Sequence, residues 1–188
     1  MTTPEPTPQE KALKRVLLIS WLDGWSLVVI AALSLLLTLA FGQLIGTAIG
    51  LLVLAAGVIE LRGRRALKRR NAEAGMKLLV RSQLFLLTVI LVYCARCLGS
   101  FDDGYFKEQV IPEMRQYLLL LIGISLDEFL QQVGLTVDEL VPLGHKAFLV
   151  LYSSVAVISL LYQGGLALFY RGKTGLVTEA LTAPPAAV

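Results

Sequence analysis

Charge is what this chain has least of. Only 16% of its 188 residues are Asp, Glu, Lys or Arg, against about 25% in an ordinary soluble domain. So few charges cannot clothe a water-facing surface, which excludes a soluble enzyme and a disordered tail. Cysteine is nearly missing too, and two residues cannot staple a secreted disulfide scaffold. The one histidine, His145, has no His partner for a zinc site, and a boundary histidine reads as structural. No Gly-x-Ser-x-Gly, Ser-x-x-Lys or His-Glu-x-x-His pattern occurs. Gly172-Lys173-Thr174 matches the end of a phosphate-binding loop, but Ala167 stands where its first glycine belongs.

What is present is apolar. Hydrophobic residues make up 56% of the chain and mean hydropathy is +0.71, gathered in long blocks between charged punctuation. A helix needs about 20 apolar residues to cross the hydrocarbon core. Segments 16–41, 44–61, 78–98 and 147–170 qualify, and lipid tolerates no open backbone. The pattern therefore predicts an all-α polytopic membrane protein, a four-transmembrane-helix bundle. The short turn Phe41-Gly42-Gln43 makes the first two spans an antiparallel hairpin. Between and beyond the spans, residues 1–15 read as a mobile basic-ended tail and 62–77 as a basic loop. Residues 99–146 read as an acidic helical cap and 171–188 as a second tail.

Charge sets the expected orientation. Lys11, Lys14 and Arg15 precede the first span, Arg171 and Lys173 follow the fourth, and eight basic residues from Arg62 to Arg81 separate the second from the third. These are 13 of the 17 basic residues. The segment before the fourth span instead carries Asp102, Asp103, Glu108, Glu113, Asp127, Glu128, Asp138 and Glu139. The positive-inside bias places both termini and the basic loop in the cytoplasm, in a plasma (inner) membrane, with the acidic segment outside. The first span is too long for a signal-peptide core and is followed at once by a second, so it reads as a retained anchor.

Each span has a face unsuited to lipid. On the second, Gly42, Gly46, Gly50 and Gly57 form a small-residue stripe ending at Glu60, which allows close helix approach. Packing inside the chain is the favoured use of that stripe, with a homo-oligomer contact as the alternative. On the fourth, Tyr152, Ala156, Ser159, Gln163, Ala167 and Tyr170 share a face. Asp23, Ser34 and Thr38 do so on the first, and Arg81 with Thr88 on the third. Ionisable groups in spans mark function by default. Asp23, Glu60, Arg81 and Gln163 thus suggest a polar vestibule for a proton, ion or small polar substrate. The plainer expectation is that Arg81 pairs with Glu60 or Asp23 near the cytoplasmic boundary, where long side chains can reach water.

Arg62, Arg64, Arg65, Lys68, Arg69 and Arg70 are placed to contact anionic lipid, at about 1 kcal/mol per charge. No aromatic residues interleave with them, so nucleic acid is not expected. In the outer segment Pro112 suits a helix start. Ser125 with Glu128, and Thr136 with Glu139, have capping-box spacing, so each is expected to begin a short helix. That cap would lie over the bundle or dock a membrane-protein partner.

One motif carries chemistry: Cys94-Ala95-Arg96-Cys97, at the outer end of the third span. Cysteines at i and i+3 on a helix lie roughly 5 Å apart at Cα, within disulfide reach. The arrangement is similar to the quinone-linked thiol oxidases of the DsbB and vitamin K epoxide reductase types, four-helix membrane bundles with cysteine pairs near the outer face. That resemblance implies a membrane thiol–disulfide oxidoreductase using Cys94 and Cys97 with a quinone. It rests on architecture and this one motif, and the outer loop lacks the second cysteine pair of the DsbB type. The thiols also sit at a helix C-terminal end, where the dipole disfavours a thiolate. Small packing residues or an inert disulfide is therefore the favoured reading.

The leading expectation is a non-enzymatic accessory or interaction subunit that needs no cofactor. The oxidoreductase is one alternative, and a small transporter or channel subunit the other.

Overall fold

The computed structural model describes residues 7–100, 104 and 106–183. Asp102, Asp103 and the outer parts of both expected tails, 1–6 and 184–188, lie outside the described residues. Those described are helical, and no strand occurs among them. Four helices are long and apolar enough to cross a membrane: α1 (Pro8–Ala40), α2 (Leu44–Lys68), α3 (Ala72–Ser100) and α6 (Val137–Thr182). Between α3 and α6 come a π-helical turn (Phe106–Val110), α4 (Ile111–Leu121) and α5 (Leu126–Val133).

The helices overrun their apolar blocks because local signals place their ends. α1 begins at Pro8 because Thr7 and Glu10 form a capping box. The segment 8–15, expected as part of a mobile tail, is therefore helical. α2 continues past Leu61 to Lys68, since Arg62, Arg64, Arg65 and Lys68 are good helix formers at a C-terminal end that favours cations. What was expected as a basic loop over 62–77 is thus a three-residue turn between two helices. Arg70 takes the left-handed conformation there (φ 63°), and the Asn71 side chain accepts from the Ala74 N–H at 3.1 Å. At the far end α6 runs on to Thr182 through segment 171–182, expected as a tail.

The chain divides into two compact units, one of Met1–Ile90 with Ser159–Val188 and one of Leu91–Ile158. In the first, Val16, Leu67, Met76, Leu79, Tyr170 and Val177 form one buried cluster. It draws on all four long helices, at the ends where most of the basic residues lie. Glycines set the spacing of these helices. A Cβ on Gly46 would stand 2.6 Å from the Thr38 side chain, one on Gly50 2.9 Å from Leu35, and one on Gly57 3.0 Å from Val28. All three lie against α1. Gly42 instead has φ 66° and nothing within 4 Å, so it serves the turn alone. A second approach joins α2 to α3. A Cβ on Gly63 would meet the Gly75 carbonyl at 3.1 Å, and one on Gly75 the Gly63 carbonyl at 3.0 Å.

The second unit has its own small core of Phe106, Ile111, Leu126, Leu130 and Val141. α5 starts at the capping box of Ser125 and Glu128 and stops at Gly134, whose φ of 68° suits a left-handed C-cap. Thr136 and Glu139 make the same reciprocal bonds. They open the long α6 and not the separate short helix expected, because among the described residues no left-handed one interrupts the chain after them. Backbone and side-chain donors of Ser125 and Thr136 hold the Glu128 and Glu139 carboxyls below the usual carboxylate range.

Candidate functional site: a buried carboxylate cluster

The first unit contains a group of polar side chains cut off from solvent. Glu60, Ser82 and Gln83 are fully buried, and Asp23 and Gln163 are 5% and 6% exposed. The α1–α2 approach explains the first pair. Gly24 and Gly57 bring the two backbones together, and a Cβ on Gly57 would stand 3.2 Å from the Gly24 carbonyl. Asp23 and Glu60, adjacent to that crossing, have no open route to the helix surface. The Ser82 hydroxyl then donates to the Ala56 carbonyl at 2.8 Å, which seats α3 on α2 and turns the next residue, Gln83, inward.

Gln83 joins the two acids. Its side-chain Nε2 donates to Asp23 Oδ2 at 2.7 Å and to Glu60 Oε2 at 2.6 Å. The other carboxylate oxygens are met from α6. Tyr162 donates to Asp23 Oδ1 at 3.1 Å and Tyr170 to Glu60 Oε1 at 2.9 Å. Every carboxylate oxygen therefore has one donor, and every donor is neutral. Two acceptors are left over: Gln83 Oε1 and Gln163 Oε1 are buried without a hydrogen-bond partner. Gln163 shares the buried stripe of α6 with Ala167 and Tyr170.

No protein family profile matches this chain, and comparisons with curated proteins and with solved structures found no match.

Among the four polar residues singled out in the spans, the structure brings Asp23 and Glu60 together and places Gln163 on the same buried side of its helix. Arg81 stands apart. It is exposed, and the ion pairs among the described residues are Lys77–Glu73, Lys107–Asp138 and Arg115–Asp127. The expected neutralisation by Arg81 is thus replaced by Gln83. The reason is rotational: the buried stripe of α3 runs through Met76, Leu79, Gln83 and Leu86, which turns Arg81 and Thr88 outward. The expectation that the acids reach water fails for the same close packing.

Gln83 and Tyr162 are the site residues that the sequence pattern passed over. Gln83 lies two residues from the more conspicuous Arg81, and Tyr162 is 54% exposed on α6, outside its small-residue face. The available signal was Gln83 itself, an uncharged polar residue within an apolar span, which costs free energy unless bonded. Cys94 is buried and Cys97 is half-buried; both are free thiols. Nearby in the second unit Tyr152 packs against Tyr93 and Phe148, with ring centroids 5.9 and 4.6 Å away. Of the basic set, Arg64 is committed to the protein, its Nε donating to the Leu17 carbonyl at 3.2 Å.

Proposed function

We propose that this chain is a non-enzymatic protein of the plasma (inner) membrane that takes up and releases a proton at the Asp23–Glu60 pair. It serves as an accessory subunit of a proton-coupled transport or channel assembly. One observation carries the reading: two buried carboxylates share a single neutral donor group, the Gln83 amide, and among the described residues no cation is bonded to either. Burying even one unpaired carboxylate costs several kcal/mol, and two side by side also repel. The pair lowers that cost by holding one proton between them. Gln83 Nε2 occupies the bridging position that a metal ion would need, which favours a proton over a larger cation.

Proton exchange requires a route, and the geometry supports one from the α6 side. Tyr162 is both bonded to Asp23 and half open to its surroundings. Four helices leave little room for a complete substrate pathway, so the cluster acts within a larger assembly, with a membrane-protein partner or further copies of this chain. The basic ends of the four long helices gather around one buried cluster. That supports spans running with both termini cytoplasmic, and the arginines and lysines from Arg62 to Arg70 set against anionic headgroups.

The test is infrared difference spectroscopy on the full chain in lipid, stepped between acidic and alkaline buffer. A protonated-carboxyl band that persists above the pH at which exposed carboxylates titrate is expected, shifted in frequency in Asp23→Asn and in Glu60→Gln and lost only when both are replaced. If no band persists there, or if it survives the double substitution, the proposal fails.

A further inference from the structure

We infer that the C-terminal half of α4 is embedded in the lipid bilayer as a shallow, non-spanning anchor, its occupant being acyl chain and not protein. The proposal is independent of the proton site. Leu119, Leu120, Leu121 and Ile122 are consecutive, and they are 62%, 71%, 76% and 62% exposed. Successive helical side chains point about 100° apart, so these four look outward in every direction around the axis. A groove on a partner, or a second copy of this chain, would cover one face and leave the others in water. Only a medium that is apolar on all sides covers all four, and hydrocarbon is such a medium.

The packing of the second unit explains why this tip is uncovered. Its core takes Ile111 from the first turn of α4, with Met114 and Leu118 half-buried against it, and the helix then projects beyond that core until Gly123 (φ 73°) turns the chain back. Charge marks how deep the tip can go. Between Arg115 and Asp127 no charged residue occurs, while those two pair with each other at 3.1 Å and are both exposed. The charges flank the apolar stretch on both sides in sequence and are tied across its base, the layout of a segment dipping from the headgroup level into the acyl boundary.

The experiment uses the full chain with Cys94→Ser and Cys97→Ser, reconstituted in nanodiscs. A fluorophore is attached at one introduced cysteine at a time: Leu119→Cys, Leu120→Cys, Leu121→Cys, Ile122→Cys, and the flanking Glu113→Cys. Each is read against lipids brominated on the acyl chain and against aqueous iodide. All four tip positions should be quenched several-fold more by brominated lipid than by iodide, and Glu113→Cys should show the reverse. Shielding of one or two tip positions from both quenchers would mean that a protein covers one face, which overturns the proposal. Iodide quenching at all four would place the tip in water and overturn it equally.

Discussion

Two buried glutamines in the same unit should respond in opposite directions to the same substitution. Gln83→Leu removes two donors to the acids, at 2.7 and 2.6 Å. With one proton on the pair, one bond goes to a charged group and is worth about 1.5–3 kcal/mol, the other to a neutral acid at about 0.5–1.5 kcal/mol. Against this, the substitution also removes the partnerless Gln83 Oε1, which returns about 1–3 kcal/mol. The net expectation is a loss of about 1–2 kcal/mol. Gln163→Leu deletes an equally buried orphan oxygen with no bond to either acid, so stability should rise by about 1 kcal/mol. Both are measurable by reversible unfolding of the full chain in mixed micelles. A cycle with Glu60→Gln isolates the coupling to the acids. Shifts of the same sign for the two glutamines, or strict additivity of Gln83→Leu with Glu60→Gln, would refute the bridging account.

Other consequences can be checked with similar means. Gly75→Val places methyl groups where a Cβ alone would already stand 2.5 Å from Leu67 and 3.0 Å from the Gly63 carbonyl. It should cost about 1–3 kcal/mol by overpacking, whereas Gly172→Ala, with nothing within 4 Å, should not destabilise. Ser125→Ala removes the N-cap of α5 and should cost about 1 kcal/mol, seen as faster amide exchange in residues 126–133 with the long helices unaffected. Glu128 and Glu139 titrate below the usual value of 4.5 in the folded chain. Their contribution to the cap is therefore present above that value and lost as the pH falls below it. Protection of the α5 amides, taken relative to their intrinsic exchange rate at each pH, should fall on acidification in the parent, and Glu128→Gln should show a smaller pH dependence of that protection.

The membrane class was legible in the sequence because lipid imposes a simple rule: about 20 apolar residues per crossing and no unsatisfied backbone. Block length alone then counts the spans. Capping boxes were equally readable, since Ser125 with Glu128 and Thr136 with Glu139 act within one turn and need no tertiary partner. Helix ends were less so. α2 and α3 run through residues read as a loop, because a charged stretch signals the edge of the lipid and not the end of a helix. The partners of the buried acids were not legible at all. Asp23, Glu60, Gln83, Tyr162 and Tyr170 come from four helices, and the bonded pair Tyr162–Asp23 lies 139 positions apart. Their meeting depends on helix rotation, which Gly24 against Gly57 and Ser82 against Ala56 decide. Arg81 and Gln83, two residues apart, point about 200° apart around α3, so the helix can turn the arginine or the glutamine to the acids but not both. The sequence by itself determined the number of long apolar helices and the starts that local caps define; the rotation that chose Gln83 over Arg81 was decided only by close packing in three dimensions.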